Sequence, residues 1–291
     1  MRITDNMKFD QVQRNLAGLR SRHAQLTNQL STGRQILAPS DDPVAAAKLM
    51  RLSARAARTQ DYRDTIAAAR ADTSLSESTL AQASDLMVRA HEIAVQGGND
   101  TLTANDRVAL ATEVESLQKQ LLVTANTRGQ RGYLFSGSQV TTPTLSSTGA
   151  YQGDQSDQEI EISPGVRTRT NVTGAAAFGA AGGTDAFATL ENLRQALLAN
   201  DSSQISATLG DLESSRSQIV RVQGEAGLIM NRLDTADEVL GATALELSRQ
   251  DGEIGDVDPF AAISELTQLS TTLEQSIAVA RQTLATGRDL F

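Results

Sequence analysis

The stretch FDQVQRNLAGLRSRHAQLTNQLSTG, residues 9–33, decides the fold. Phe9, Val12, Leu16, Leu19, His23, Leu26 and Leu30 follow one another at alternating steps of three and four. Such a row is a heptad seam, narrower than the apolar face of an ordinary surface helix, and a helix that hides only a thin stripe needs another helix against it. Gly33 then predicts a left-handed stop, which is cheap only without a Cβ. Downstream, Pro39-Ser40-Asp41-Asp42-Pro43 forms a turn, and the chain restarts as helix at Val44. Asp42 suits the N-cap and Pro43 the first helical position, where a missing N–H costs nothing.

The other end repeats the pattern. Phe260, Ile263, Leu266, Ser270, Leu273, Ile277, Ala280, Leu284, Gly287 and Phe291 form a second 3,4 row, entered through Asp258-Pro259 as the first body helix is entered through Asp42-Pro43. The simplest pairing joins the two seams to each other. At about 1.5–3 kcal/mol per fully buried large side chain, two such helices alone barely offset the entropy of ordering them. Residues 1 to about 40 and 258–291 are therefore expected to be mobile in a monomer and to gain order from neighbouring copies.

Between the ends, residues 44–128 read as helix with breaks at 97–100 and 103–106. Leu80, Ala83, Met87, Ala90 and Ala94 make one 3,4 run; Leu110, Val114, Leu117, Leu121 and Thr124 make another. From Ile205 to Leu247 the spacing runs through thirteen positions, polar only at Arg216, Gln223 and Asp237, so a continuous helix of about 65 Å is expected at 1.5 Å per residue. Gly224, Gly227 and Gly241 are candidate bends. Residues 136–185 differ: Ser, Thr and Gly dominate, periodicity falls to two at Glu159–Ile162, and Ser163-Pro164-Gly165 offers a turn before a second extended run, Val166 to Val172.

The composition carries little catalytic equipment. The 291 residues include no Cys, no Trp and two His, and 26 basic residues face 35 acidic ones for a net charge of −9. An acidic surface gives nucleic acid no electrostatic footprint, and no run of about 18 apolar residues exists to span a bilayer. The first eight residues lack the apolar core of a cleaved signal peptide, which implies either retention or export without cleavage. His23 reads as a register-setting polar seam residue, and His91-Glu92 lacks the second His of a zinc protease helix. Asp41-Asp42 and Asp256-Val257-Asp258 lack the alternating ligands of a calcium loop and read as helix caps. Asn171-Val172-Thr173 matches a glycosylation sequon by composition. No catalytic residue, cofactor or metal is expected.

Several motifs carry a family resemblance. Leu30-Ser31-Thr32-Gly33-Arg34 with Pro39-Ser40-Asp41-Asp42-Pro43-Val44-Ala45-Ala46 resembles the segment after the first helix of the flagellin superfamily. Proline on both sides of Ser-Asp-Asp is more similar to the hook-filament junction proteins of bacterial flagella, the FlgL family, than to the filament subunit. Gly132-Tyr133-Leu134-Phe135-Ser136-Gly137, Tyr151-Gln152-Gly153-Asp154 with Gly165 and Asn171–Gly174, and Asp256-Val257-Asp258 with Ala261–Leu266 resemble further family segments. Pro259 and Gly287 depart from the pattern and blur the bounds of the last helix.

The resemblance implies a mainly α, elongated, flagellin-like helical rod with paired terminal coiled-coil helices and a small β-rich insertion. Its domains would be 1–43 with 256–291 (terminal coiled coil), 44–135 with 186–255 (helical bundle) and 136–185 (β-rich). Phe9, Val12, Leu16, Leu19, Leu26, Leu30, Ile263, Leu266, Leu273, Ile277 and Leu284 would pack subunits together. Ser31, Thr32, Gly33, Pro39, Ser40, Asp41, Asp42 and Pro43 would form the signature turn. The implied protein is not an enzyme. It leaves the cytoplasm through the flagellar type III apparatus, with a chaperone on its C-terminal region. It then assembles outside the cell as a ring of like subunits between a hook-proximal junction protein and flagellin, without nucleic acid or membrane. A short flagellin, or a type III-secreted helical translocator or adaptor, stays open as an alternative.

Overall fold

The computed structural model describes residues 2–179 and 182–288, apart from the side chains of residues 2–6, 8, 9 and 283–288. Among these residues the chain is mainly α. The order is α1 (Arg2–Thr32), α2 (Pro43–Gly97), α3 (Ala104–Ala125), β1 (Glu159–Ser163), β2 (Val166–Arg169), α4 (Gly174–Phe178), α5 (Ala186–Leu198), α6 (Ser202–Gly255) and α7 (Pro259–Arg288). Two compact units result, one of Met1–Arg58 with Ala244–Phe291 and the other of Thr59–Thr243.

Helix boundaries follow local chemistry. Asp42 Oδ1 accepts from the N–H groups of Val44 and Ala45, both at 2.9 Å, and α2 begins at Pro43. Asp258 Oδ1 does the same for Phe260 at 2.9 Å and Ala261 at 3.2 Å, and α7 begins at Pro259. Each cap satisfies donors that a helix start leaves unpaired. Thr103 and Asp106 complete a capping box on α3, and Asp201 accepts from Ser203 and Gln204 at the start of α6.

In the larger unit, α6 reveals why its 3,4 pattern contains polar residues. Ile205, Leu212, Ile219, Ala226, Leu233 and Leu240 are buried, a strict repeat of seven. Leu209, Arg216, Gln223, Met230 and Asp237 form the alternate row and are only half-buried. The three polar residues all lie in that outer row, where Asp237 receives Arg63 of α2 at 2.9 Å. The helix is continuous over 54 residues, about 80 Å at 1.5 Å per residue. A Cβ on Gly224, Gly227 or Gly241 would meet nothing within 4 Å, so no packing demands glycine there. Leu80, Ala83, Met87, Ala90 and Ala94 of α2 are wholly buried, as are Leu190, Leu193 and Leu197 of α5 to within 1%. On α3 the buried row is Leu110, Val114, Leu117 and Leu121, ending on Ala125; Thr124, the fifth member expected, is half-exposed.

The Ser/Thr/Gly-rich segment folds onto this unit with less sheet than its composition suggests. β1 and β2 form an antiparallel hairpin, Glu159 opposite Arg169 and Ile160 opposite Thr168, with an irregularity between Glu161 and Ser163 and Gly165 in its turn. The second strand stops at Arg169 rather than Val172. There Asn171 turns inward, accepting from Gln158 N at 2.8 Å and donating to Ser156 O at 3.2 Å. The sequon asparagine is thus buried with both amide atoms engaged. Side chains hold the loops. Asp72, buried on α2, accepts from Gln130 N at 2.7 Å and Arg131 Nε at 2.9 Å. Tyr151 donates to Asp154 O at 2.6 Å, and burial pushes its phenol up to about 12. Edge-on rings of Phe135, Phe178 and Phe187 close the base at 5.9 and 6.4 Å.

Candidate assembly surface

In the smaller unit, α1 packs along α7, and Arg22 pairs with Glu265 at 2.8 Å across them. The two helices have 31 and 30 residues, yet their described side chains give only Leu26, Gln29 and Ala262 full burial. Val12, Leu16, Leu19, His23 and Leu30 on α1, with Leu266, Leu273 and Ile277 on α7, stay half-buried. Ile263 is 54% exposed and Phe260 86%, because Ala262 takes the inward position at this end. Phe9 and Leu284 have side chains outside the described residues, and Phe291 lies outside them altogether.

The signature turn closes this pair. Gly33 adopts a φ of 71°, the left-handed region its lack of Cβ makes accessible. Thr32 Oγ1 donates to Asn28 O at 2.8 Å and accepts from Arg34 N at 3.3 Å. The chain then crosses to the end of α6: Gln35 N donates to Gly255 O at 2.7 Å, and Val257 N donates to Gly33 O at 3.0 Å. Buried Gln29 reaches Gln35 O at 2.6 Å. Arg34 lies over the same corner, 2.7 Å from Asp251 and 3.5 Å from Asp256, so a Cβ on Gly255 would strike its guanidinium. Asp41 serves a different end from the cap expected of it: its Oδ2 accepts from Leu37 N at 3.1 Å and Ala38 N at 2.9 Å and folds the Pro39-Ser40 turn. Ser31, Pro39, Ser40 and Pro43 are exposed.

Arg34, Gln29, Asp251 and Gly255 escaped notice in the sequence. Arg34 stands inside a quoted motif, but its partners lie more than 200 positions away and no local pattern links them. Farther along α6, Arg249 bridges Glu246 at 2.7 Å and also contacts Glu253; the Arg249 hydrogen bond holds the Glu246 carboxyl down at about 2. Among the described residues no three His, Cys, Asp or Glu gather as a metal site, and no helix is long and apolar enough to cross a membrane. What this geometry can do is pack: two long helices joined at one corner, with an apolar row left half open along both.

Comparison with known proteins gives the family. Residues 3–140 match the bacterial flagellin N-terminal helical region, and residues 209–286 match the bacterial flagellin C-terminal helical region. The chain is 29% identical to flagellar hook-associated protein 3 of Escherichia coli over 300 residues, 95% of both chains. It is also 29% identical to flagellar hook-associated protein 3 of Salmonella typhimurium over 303 residues, again 95% of both. In fold it is similar to the crystal structure of the flagellar junction protein FlgL from Legionella pneumophila, with a TM-score of 0.59 and 20% identity over 72% of this chain and 100% of the other.

Proposed function

Because the chain belongs to the bacterial flagellin family, we propose that it is the structural subunit that joins the flagellar hook to the filament. One observation carries this reading: the match to hook-associated protein 3 covers 95% of each chain. The half-open seams supply the physics. Bringing copies together completes the burial of Val12, Leu16, Leu19, Leu30, Leu266, Leu273 and Ile277, each adding about 1 kcal/mol or more when its remaining apolar area leaves water. Summed over a ring, such contacts hold a stable layer from helices that close poorly in one chain.

The terminal helices 1–43 and 256–291 form the inner layer in this reading, the long helices surround it, and the 136–185 insertion faces outward. The neighbours are like subunits, a hook-proximal junction protein and flagellin. The chain leaves the cell uncleaved through the flagellar export apparatus, escorted by a chaperone on its C-terminal region. No step calls for turnover.

Deleting the gene and viewing the cells tests this. Hooks without filaments, with flagellin shed into the medium, are the expected outcome. Normal filaments on the deleted strain, or this chain distributed along whole filaments, would overturn it.

A further inference from the structure

The first third of α2 presents a row that the function above leaves unused. Lys48, Arg51, Arg55 and Arg58 follow at steps of three, four and three, and all are exposed. They lie about 100° round the helix from the inward row of Ala45, Leu49, Leu52, Ala56 and Thr59. Like charges at steps of three and four on one helix face repel one another. Lys48, Arg51 and Arg58 have no ion-pair partner among the described residues.

Eight acids of the same unit are otherwise engaged; among the other described ones, Asp10 and Glu274 are exposed. Asp251 and Asp256 hold Arg34, Glu246 and Glu253 hold Arg249, and Glu265 holds Arg22. Asp41, Asp42 and Asp258 are bonded to backbone N–H groups. The charge is also divided between the units. The smaller has 13 basic and 12 acidic residues, whereas Thr59–Thr243 has 13 basic and 23 acidic. Glu77, Asp85, Asp211 and Glu238 of that unit meet no cation among the described residues.

Copies of a chain with net charge −9 repel on assembly unless unlike charges are placed face to face. We propose that the Lys48–Arg58 row is a subunit contact that receives the acidic Thr59–Thr243 unit of a neighbouring copy of this chain. The inference rests on the assembly of like subunits proposed above and identifies which surfaces meet. A contact between two different patches is heterologous, the kind that propagates round a ring.

Photo-crosslinking on cells tests it. A photoreactive amino acid replaces Arg51 or Arg58 in the full chain, filaments are confirmed by microscopy, and crosslinked peptides are mapped. Crosslinks into residues 59–243 of a second copy are expected. Crosslinks into residues 1–58 or 244–291 of the second copy, into another polypeptide, or none on cells that carry filaments would overturn the proposal. With the photoreactive residue kept at Arg51, the added changes Lys48→Glu and Arg58→Glu should keep the helical circular dichroism yet lose that crosslinked dimer; an unchanged dimer yield counts against it. Failure here leaves the deletion phenotype intact, so the two readings stand or fall separately.

Discussion

α1 against α7 and α3 against α5 are both two-helix contacts, and the shorter pair is the better buried. α3 and α5, of 22 and 13 residues, hide Leu110, Val114, Leu117, Leu121, Leu190, Leu193 and Leu197. Helices α1 and α7, more than twice as long as α5, fully hide Leu26 and Ala262 as their described apolar residues. Apolar spacing is equally regular in both. The difference is the third layer: α2 and α6 share the core cluster with α3 and α5, whereas a lone pair covers each seam from one side. Heptad spacing thus states that a surface will be covered, and the amount of chain available nearby decides whether the cover is the molecule's own.

The strongest test of that contrast is a charge placed in each terminal seam, at Leu26, already buried within the chain, or at Leu273, left half open for assembly. Leu26→Asp or Leu273→Asp should abolish filament attachment in cells while circular dichroism of the purified variant keeps the Thr59–Thr243 helices. Attached filaments in both variants would show that the seams are not the assembly surface. Next in size, Leu193→Ala should cost the larger unit about 2–5 kcal/mol by cavity formation, and Leu273→Ala should cost the isolated chain under about 1 kcal/mol. Equal losses in urea titrations would erase the distinction between the two pairs. Amide exchange gives a finer measure: residues 10–32 and 259–282 should exchange at least about thirtyfold faster than α3 and α5, a gap of roughly 2 kcal/mol in opening free energy. Comparable protection in dilute monomer would mean that two helices suffice.

The smallest effect is acidic. Arg194 first, with Gln195 and Gln118, holds the Glu191 carboxyl on α5 down to about 2, below its ordinary 4.5. The unfolded chain therefore binds the extra proton first as pH falls. This contribution is full above about 4.5 and disappears as pH drops through about 2. Glu191→Gln should flatten the decline in stability of the larger unit over that window; an unchanged slope would remove Glu191 from the account.

Much of this was legible because its causes are local. Asp42 before Pro43, Asp258 before Pro259 and Gly33 after Leu30 each act within three residues, and each stands where its chemistry requires. The α6 row was legible in spacing but not in depth: that Ile205 and Leu212 lie inward while Leu209 and Arg216 face outward depends on neighbours the spacing cannot name. The corner of Arg34, Asp251, Asp256 and Gly255 was illegible, since its two halves have no common pattern. Asp72 and Asn171 were invisible for the same reason, being ordinary surface residue types that loops from elsewhere make buried. The hairpin was legible as alternation at Glu159–Ile162, but its short second strand was not, because Asn171 ends it through its own side chain.

The corner also has a kinetic meaning. Gln35 with Gly255, and Gly33 with Val257, close a loop of about 220 residues. Closing so long a loop in an open chain carries an entropic cost with little local reward. The clasp is thus expected to close late in folding, after the intervening chain has ordered itself. A polypeptide held by either end remains unclasped, and its two seams meet only once both ends have arrived at the same place.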